Sequence, residues 1–123
     1  GRSRTIKDIL MDQKFLSGLG NIYTNEILFL SKIKPTRKVK KLKNFELKKL
    51  IKFTRNVLDS SIKYGGSSIK DFSSSNGKKG SFQQHFNVYG KQGECCSTPK
   101  CKSKILRTVI SNRATFFCSK CQK

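Results

Sequence analysis

Apolar residues recur at helical spacing through the first half of the chain and give way to short β-prone runs near its end. Ile6 to Met11 is apolar-rich and predicts a helix of about two turns. Ser17-Gly18-Leu19-Gly20-Asn21 is a turn signal, because its glycines permit positive φ and close backbone approach. Asn21 then reads as a helix N-cap, Ile22 to Leu30 as a strongly apolar helix, and Pro35 as its end. Thr36 to Lys43 (TRKVKKLK) is a basic connector. Asn44 reads as a second N-cap, with Glu46 in the first turn where the helix dipole favours a carboxylate. Leu47, Leu50, Ile51, Leu58 and Ile62 predict one apolar face on a helix of about five turns, stopped by Gly65-Gly66. Ser67 to Phe72 predicts one more short helix, and Ser73 to Gly80 (SSSNGKKG) a polar loop. From about residue 87 the pattern changes. Lys104 to Ile110 and Ala114 to Phe117 are β-prone and flank Ser111-Asn112-Arg113, which reads as a hairpin tip. The expected fold is mainly α with a small β part.

Charge narrows the class of partner. The 123 residues carry 27 Lys+Arg against 7 Asp+Glu, a formal net charge of +20. Such a balance favours a polyanion, with DNA or RNA ahead of an acidic membrane. A hydrophobic content of 35% is low for one large core but suffices for a helical bundle with a metal-held appendage. No apolar run reaches membrane-spanning length, and no signal-peptide pattern opens the chain. The five cysteines cluster in one short region, and a disulfide framework would leave one over. Metal-bound thiolates in a reducing compartment fit better, which places the protein in the cytoplasm or on the nucleoid.

The cysteine spacing carries the chemistry. Cys96-x4-Cys101, sixteen residues, then Cys118-x2-Cys121 would bring two short thiolate loops together on a hairpin and supply the four ligands of one structural zinc. Cys95 adjoins Cys96, and Cys96 is the preferred ligand because Gly93-Glu94-Cys95 then reads as a lead-in strand. No open coordination position is implied. Gly18-x-Gly20-Asn21 is either a plain turn or a helix N-terminus whose N–H groups meet a DNA phosphate. Arg113 is either an ordinary surface residue or a guanidinium that reaches a phosphate from a rigid turn. The connector lysines are solvated or contact phosphate without specificity. His85 lies outside the cysteine spacing and reads as a loop or core residue. No Ser-His-Asp set or carboxylate pair stands out.

Several of these pieces occur together in one family. Leu10-Met11-Asp12-Gln13, Gly18-Leu19-Gly20-Asn21-Ile22-Tyr23, Gly65 to Phe72 (GGSSIKDF), Val88-Tyr89-Gly90 and Arg113 to Gln122 (RATFFCSKCQ) resemble, in order, the C-terminal half of bacterial formamidopyrimidine-DNA glycosylase. The resemblance runs from about Thr5 to Lys123. It implies a helix–two-turn–helix DNA-binding domain over residues 1–86, with a lesion-capping loop at 73–82, then a zinc finger over 87–123. It implies a base-excision repair activity that removes oxidised purines such as 8-oxoguanine from double-stranded DNA and cleaves the abasic site by β,δ elimination. By position, Asn21 matches the phosphate-binding asparagine, Lys7 a lysine near the lesion and Lys78 a lysine of the capping loop. Arg113 matches the finger arginine, which grips phosphates and is credited with proton donation in the second elimination. Cys96, Cys101, Cys118 and Cys121 fall on the zinc ligands.

The chain departs from the family in two places. Its first cysteine loop is longer than the family's Cys-x2-Cys. The family's nucleophile is an N-terminal proline amine, whereas this chain opens Gly1-Arg2-Ser3 and its prolines are Pro35 and Pro99. The expectation is a monomeric DNA-binding half that lacks the catalytic half, either a truncated gene product or an excised C-terminal segment. A stand-alone zinc-dependent DNA-binding module is the alternative. A basic zinc protein of the ribosomal kind is the third reading, against which Arg113 and the Gly-x-Gly-Asn turn argue.

Overall fold

A computed structural model describes residues 4–12, 20–63 and 86–123, with backbone alone at 60–63. The expected turn glycine Gly18, the Gly65-Gly66 stop, the short helix at 67–72, the loop at 73–82 with Lys78, and His85 lie outside the described residues. Helices α1 (Ile6–Met11), α2 (Gly20–Ser31) and α3 (Asn44–Lys63) precede a two-stranded antiparallel sheet of β1 (Leu106–Ile110) and β2 (Arg113–Phe117). The fold is therefore mainly helical with a small sheet.

Short α1 depends on its cap. Thr5 sits in extended backbone, accepts from the Asp8 N–H at 3.2 Å and donates its hydroxyl to Asp8 Oδ2 at 3.1 Å. Arg4 pairs with Asp12 across the same helix. The start of α1 is pinned to the connector by Ile6 N–H to Arg37 O at 2.8 Å and Val39 N–H to Arg4 O at 3.2 Å.

Helix α2 is the axis of the molecule and packs against α1, α3 and β2. Ile22, Tyr23, Ile27, Leu28 and Ile33 join Ile6, Leu10 and Leu50 in one core. Phe29 joins Val88, Ile105 and Phe116 in a second, and Tyr89 packs against both. Helix α2 ends before the expected Pro35. Lys32 takes φ 62, its N–H reaches Phe29 O at 3.1 Å, and Ile33 N–H reaches Leu28 O at 3.0 Å. These are the paired bonds of a Schellman motif, with Ile33 and Leu28 in contact in the core. The helix stops because this apolar contact and these bonds close it, with Lys32 where glycine is usual.

The two expected N-caps also shift. Asn21 lies inside the first turn of α2, and its side chain reaches outward to other elements instead of capping. Asn44 is the first helical residue of α3, and Lys43 takes the cap position. Lys43 O accepts from Glu46 and Leu47 at 3.0 Å, while Glu46 Oε1 accepts back from the Lys43 N–H at 2.9 Å. Arg37 grips the same carboxylate at 2.8 and 3.0 Å and donates to the Lys41 and Lys123 carbonyls. This anchor turns α3 so that Glu46 and Leu50 are buried and Val57 and Leu58 half-buried. Leu47 and Ile51, expected on the buried face, are 38% and 55% exposed.

The C-terminal module is a longer hairpin. Gly93 to Cys96 pairs with Ser103 to Ile105 through Gly93 N–H to Ile105 O, Ile105 N–H to Glu94 O and Cys96 N–H to Ser103 O at 2.8–2.9 Å. The expected lead-in strand character of 93–95 is thus present as a short ladder. Ser111 and Asn112 both take positive φ, 50 and 65, as a type I′ turn demands. Arg113 follows the two central residues of that turn. It opens β2 and pairs with Ile110.

Candidate functional site

Lys7 is 1% exposed on α1, unusual for lysine, and donates from Nζ to Asn21 Oδ1 at 2.8 Å. Burial first, and then the nearby Arg113 guanidinium, lower its pKa from 10.5 to about 8, with Asp8 opposing both. The Asn21 Nδ2 group donates to the Ala114 carbonyl at 3.0 Å, across 93 residues. One amide therefore joins the lysine of α1 to the residue that follows Arg113 on β2. Arg113 itself is exposed, and its guanidinium has no partner among the described residues. The structure thus brings Lys7, Asn21 and Arg113 to one place from three elements. Asp8 lies beside them. Its carboxyl is held below the usual range first by the Ser111 hydroxyl, then, against the effect of burial, by Thr5, Arg4 and Lys7.

Cys96, Cys101, Cys118 and Cys121 form a second site, with all four Sγ atoms within 4.8 Å of one another. Cys96 Sγ and Cys121 Sγ are 3.7 Å apart, and Cys101 Sγ and Cys118 Sγ 3.8 Å. A tetrahedral ion at a metal–sulfur distance of about 2.3 Å would space its sulfurs about 3.8 Å apart, so the quartet fits. Cys95, by contrast, is exposed and directs its thiol to the Cys101 carbonyl at 3.6 Å. The long first loop closes because Thr98-Pro99-Lys100-Cys101 makes a type II turn, with Cys101 N–H to Thr98 O at 3.0 Å and Lys100 at φ 70. Thr98 Oγ1 stands 3.4 Å from both Cys96 Sγ and Cys121 Sγ, and the Cys121 N–H donates to Cys118 Sγ at 3.5 Å. Burial pushes the Cys118 thiol up to about 12, whereas the Ser103 backbone N–H is the first cause holding Cys101 at about 7. Cys96 and Cys118 are buried, and thiolates there would need a cation to share their charge.

Sequence reasoning missed the polar stripe that docks the finger on α2. Asn25 Nδ2 donates to Asn21 O at 2.7 Å, and its Oδ1 accepts from the Phe116 N–H at 2.7 Å. With Asn21 on Ala114, these amides satisfy the β2 edge that β1 leaves unpaired. Glu26 is 5% exposed and accepts the N–H groups of Asn87, Val88 and Tyr89 at 2.7–2.9 Å. Gln122, fully buried, accepts from the Cys118 N–H at 2.8 Å and donates to Ile33 O at 3.0 Å. The available signal was polar residues at Asn21, Asn25 and Glu26 inside a largely apolar helix.

Comparison with known proteins fits this geometry. Residues 1–73 match the formamidopyrimidine-DNA glycosylase H2TH domain. A formamidopyrimidine-DNA glycosylase of Hydrogenovibrio crunogenus is 45% identical over 123 residues, covering 100% of this chain and 43% of the relative. The crystal structure of the Lactococcus lactis enzyme with abasic-site DNA superimposes with a TM-score of 0.82 at 38% identity, covering 98% of this chain and 44% of that one. A MutM complex with carbocyclic 8-oxo-G DNA gives a TM-score of 0.80 at 36% identity, covering 98% and 42%. The chain therefore spans less than half the length of the relatives it matches. A helical segment and a cysteine-bearing hairpin welded through one polar helix face, matched over 98% of the chain to DNA-glycosylase structures, place this protein in the formamidopyrimidine-DNA glycosylase family.

Proposed function

We propose that this chain is the DNA-gripping half of a formamidopyrimidine-DNA glycosylase, acting in base-excision repair on double-stranded DNA that carries an oxidised purine or an abasic site. The observation that supports this most strongly is the convergence of Lys7, Asn21 and Arg113, whose guanidinium has no partner among the described residues, at the junction of α1, α2 and β2. In this reading Arg113 grips the phosphates beside the lesion and serves the strand-cleavage step as proton donor. Asn21 offers its remaining N–H to phosphate, and Lys7 tunes the field at the lesion. Lys78 is proposed as a further contact from the 73–82 loop. The helical part, 1–86, and the finger, 87–123, act as one wall of a DNA cleft in a monomer.

The four cysteines Cys96, Cys101, Cys118 and Cys121 would hold one zinc, which cross-links the two ends of the finger and does no chemistry on DNA. Four reduced thiols suit a bacterial cytoplasm. Residues 1–123 alone contain only the internal Pro35 and Pro99, so this polypeptide is proposed to bind DNA without excising a base. Borohydride trapping of a covalent complex with abasic DNA would refute that part.

The test of the reading is Arg113→Ala in the 123-residue chain. Binding to a duplex with an abasic analogue should weaken by about 1–3 kcal/mol, with metal content and helix content unchanged. Wild-type affinity in that variant would show the guanidinium to be merely solvated.

A further inference from the structure

Asp8 is a carboxylate on a surface where every other named group suits a polyanion. Both its oxygens are engaged. Oδ2 accepts from the Thr5 hydroxyl at 3.1 Å within the cap of α1. Oδ1 accepts from the Ser111 hydroxyl at 2.8 Å, across 103 residues. Ser111 is the first residue of the hairpin turn, at φ 50, a conformation that serine adopts at a cost and glycine without one. The described side-chain links from α2 to the finger reach residues 87–89 and, beyond the turn, Ala114 and Phe116 of β2. The Asp8–Ser111 bond alone among these reaches the turn itself, two residues before Arg113.

We propose that Asp8 and Ser111 form a latch that holds the hairpin turn against α1 and thereby fixes where the Arg113 guanidinium meets a DNA phosphate. Asp8 is then a positioning residue for DNA binding. The proposal rests on the reading of Arg113 as a phosphate contact. It also opposes simple charge counting. Removing a carboxylate from a basic DNA-binding face should strengthen binding by electrostatics alone, whereas removing a latch should weaken it.

The experiment uses the full 123-residue chain loaded with zinc and a duplex carrying a tetrahydrofuran abasic analogue. Ser111→Gly is the cleaner variant, because glycine suits φ 50 and only the hydroxyl is lost. Its thermal midpoint should equal or exceed that of the wild type, while Kd rises about three- to tenfold, within the range for losing one typical hydrogen bond. The slope of log K against log salt should flatten by up to about 0.9, as one phosphate contact is lost. Added to Arg113→Ala, Ser111→Gly should cause no further loss. Asp8→Ala should weaken binding although it removes a negative charge. Wild-type affinity in Ser111→Gly, tighter binding in Asp8→Ala, or losses at Ser111 and Arg113 that simply multiply would each overturn the latch. If Arg113→Ala itself leaves binding unchanged, the phosphate-contact reading fails first and the latch with it. If Arg113→Ala weakens binding and Ser111→Gly does not, only the latch fails.

Discussion

Lys7 shows how much one side chain depends on its surroundings. Its pKa falls to about 8 because burial, and then Arg113, disfavours the ammonium form. A lysine with a folded pKa below its unfolded value is under-protonated in the native state between the two. Folding stability should therefore rise as pH climbs from about 8 towards 10.5. Discounted for solvent screening of the head group, the gain is about 1–2 kcal/mol. Lys7→Met should lack this rise, and chemical denaturation of both proteins across that range, with zinc held saturating, measures the difference. Glu26 is the opposite case, a buried carboxylate made comfortable by three backbone N–H groups. Glu26→Gln would turn donors towards donors and should cost about 2–3 kcal/mol. An unchanged denaturation midpoint would mean that 87–89 is held by packing of Val88 and Tyr89 instead.

Each element owes its ends to contacts as well as to local residues. Helix α2 closes on Lys32 at φ 62, a conformation that favours glycine. Lys32→Gly should stabilise the chain by about 0.5–1 kcal/mol, read as a higher urea midpoint at unchanged slope. A loss of stability there would show that the lysine stem packs productively enough to outweigh its strain. The finger depends on its quartet in the same local way. Cys118→Ser should abolish stoichiometric zinc binding and melt the hairpin, whereas Cys95→Ser should leave both intact, since Cys95 lies outside the sulfur cluster. Zinc analysis and near-ultraviolet circular dichroism distinguish these outcomes, and the reverse pattern would reassign the first ligand.

At the scale of the whole molecule, charge and docking act together. With a net charge of +20, the chain should bind duplex DNA with a log–log salt slope steeper than about −2.7, the value for three neutralised phosphates. A slope near zero would mean that the cationic surface is only solvated. The finger is welded at both of its ends to α2 and the segment that follows it. Asn21, Asn25 and Glu26 hold its start and its second strand, and Gln122 and Lys123 tie its last residues to the segment 32–34. Arg113 and Lys7 become neighbours only through this weld.

The residues by themselves determined a good part of this. Periodicity placed α1, α2 and α3, because buried faces impose a helical repeat on the chain. The cysteine spacing picked out the quartet, because metal geometry leaves few ways to arrange four thiolates, and the strand pattern of 93–95 favoured Cys96 over Cys95. The motif likeness pointed to the family that the comparisons establish. Element boundaries were the part that local reading misjudged. Asn21 and Asn44 carry the right chemistry for caps, yet a cap is decided by which neighbour competes for the side chain, and here Lys7, Ala114 and Glu46 decide. The face of α3 was misread for the same reason, since Arg37 gripping Glu46 sets the rotation that leaves Leu47 and Ile51 outward. Contacts across 93 and 103 residues leave no periodic trace. Only the tertiary structure could bring Asn21 to Ala114 and Asp8 to Ser111, because such pairings are set by how α2 receives the finger and not by any spacing along the chain.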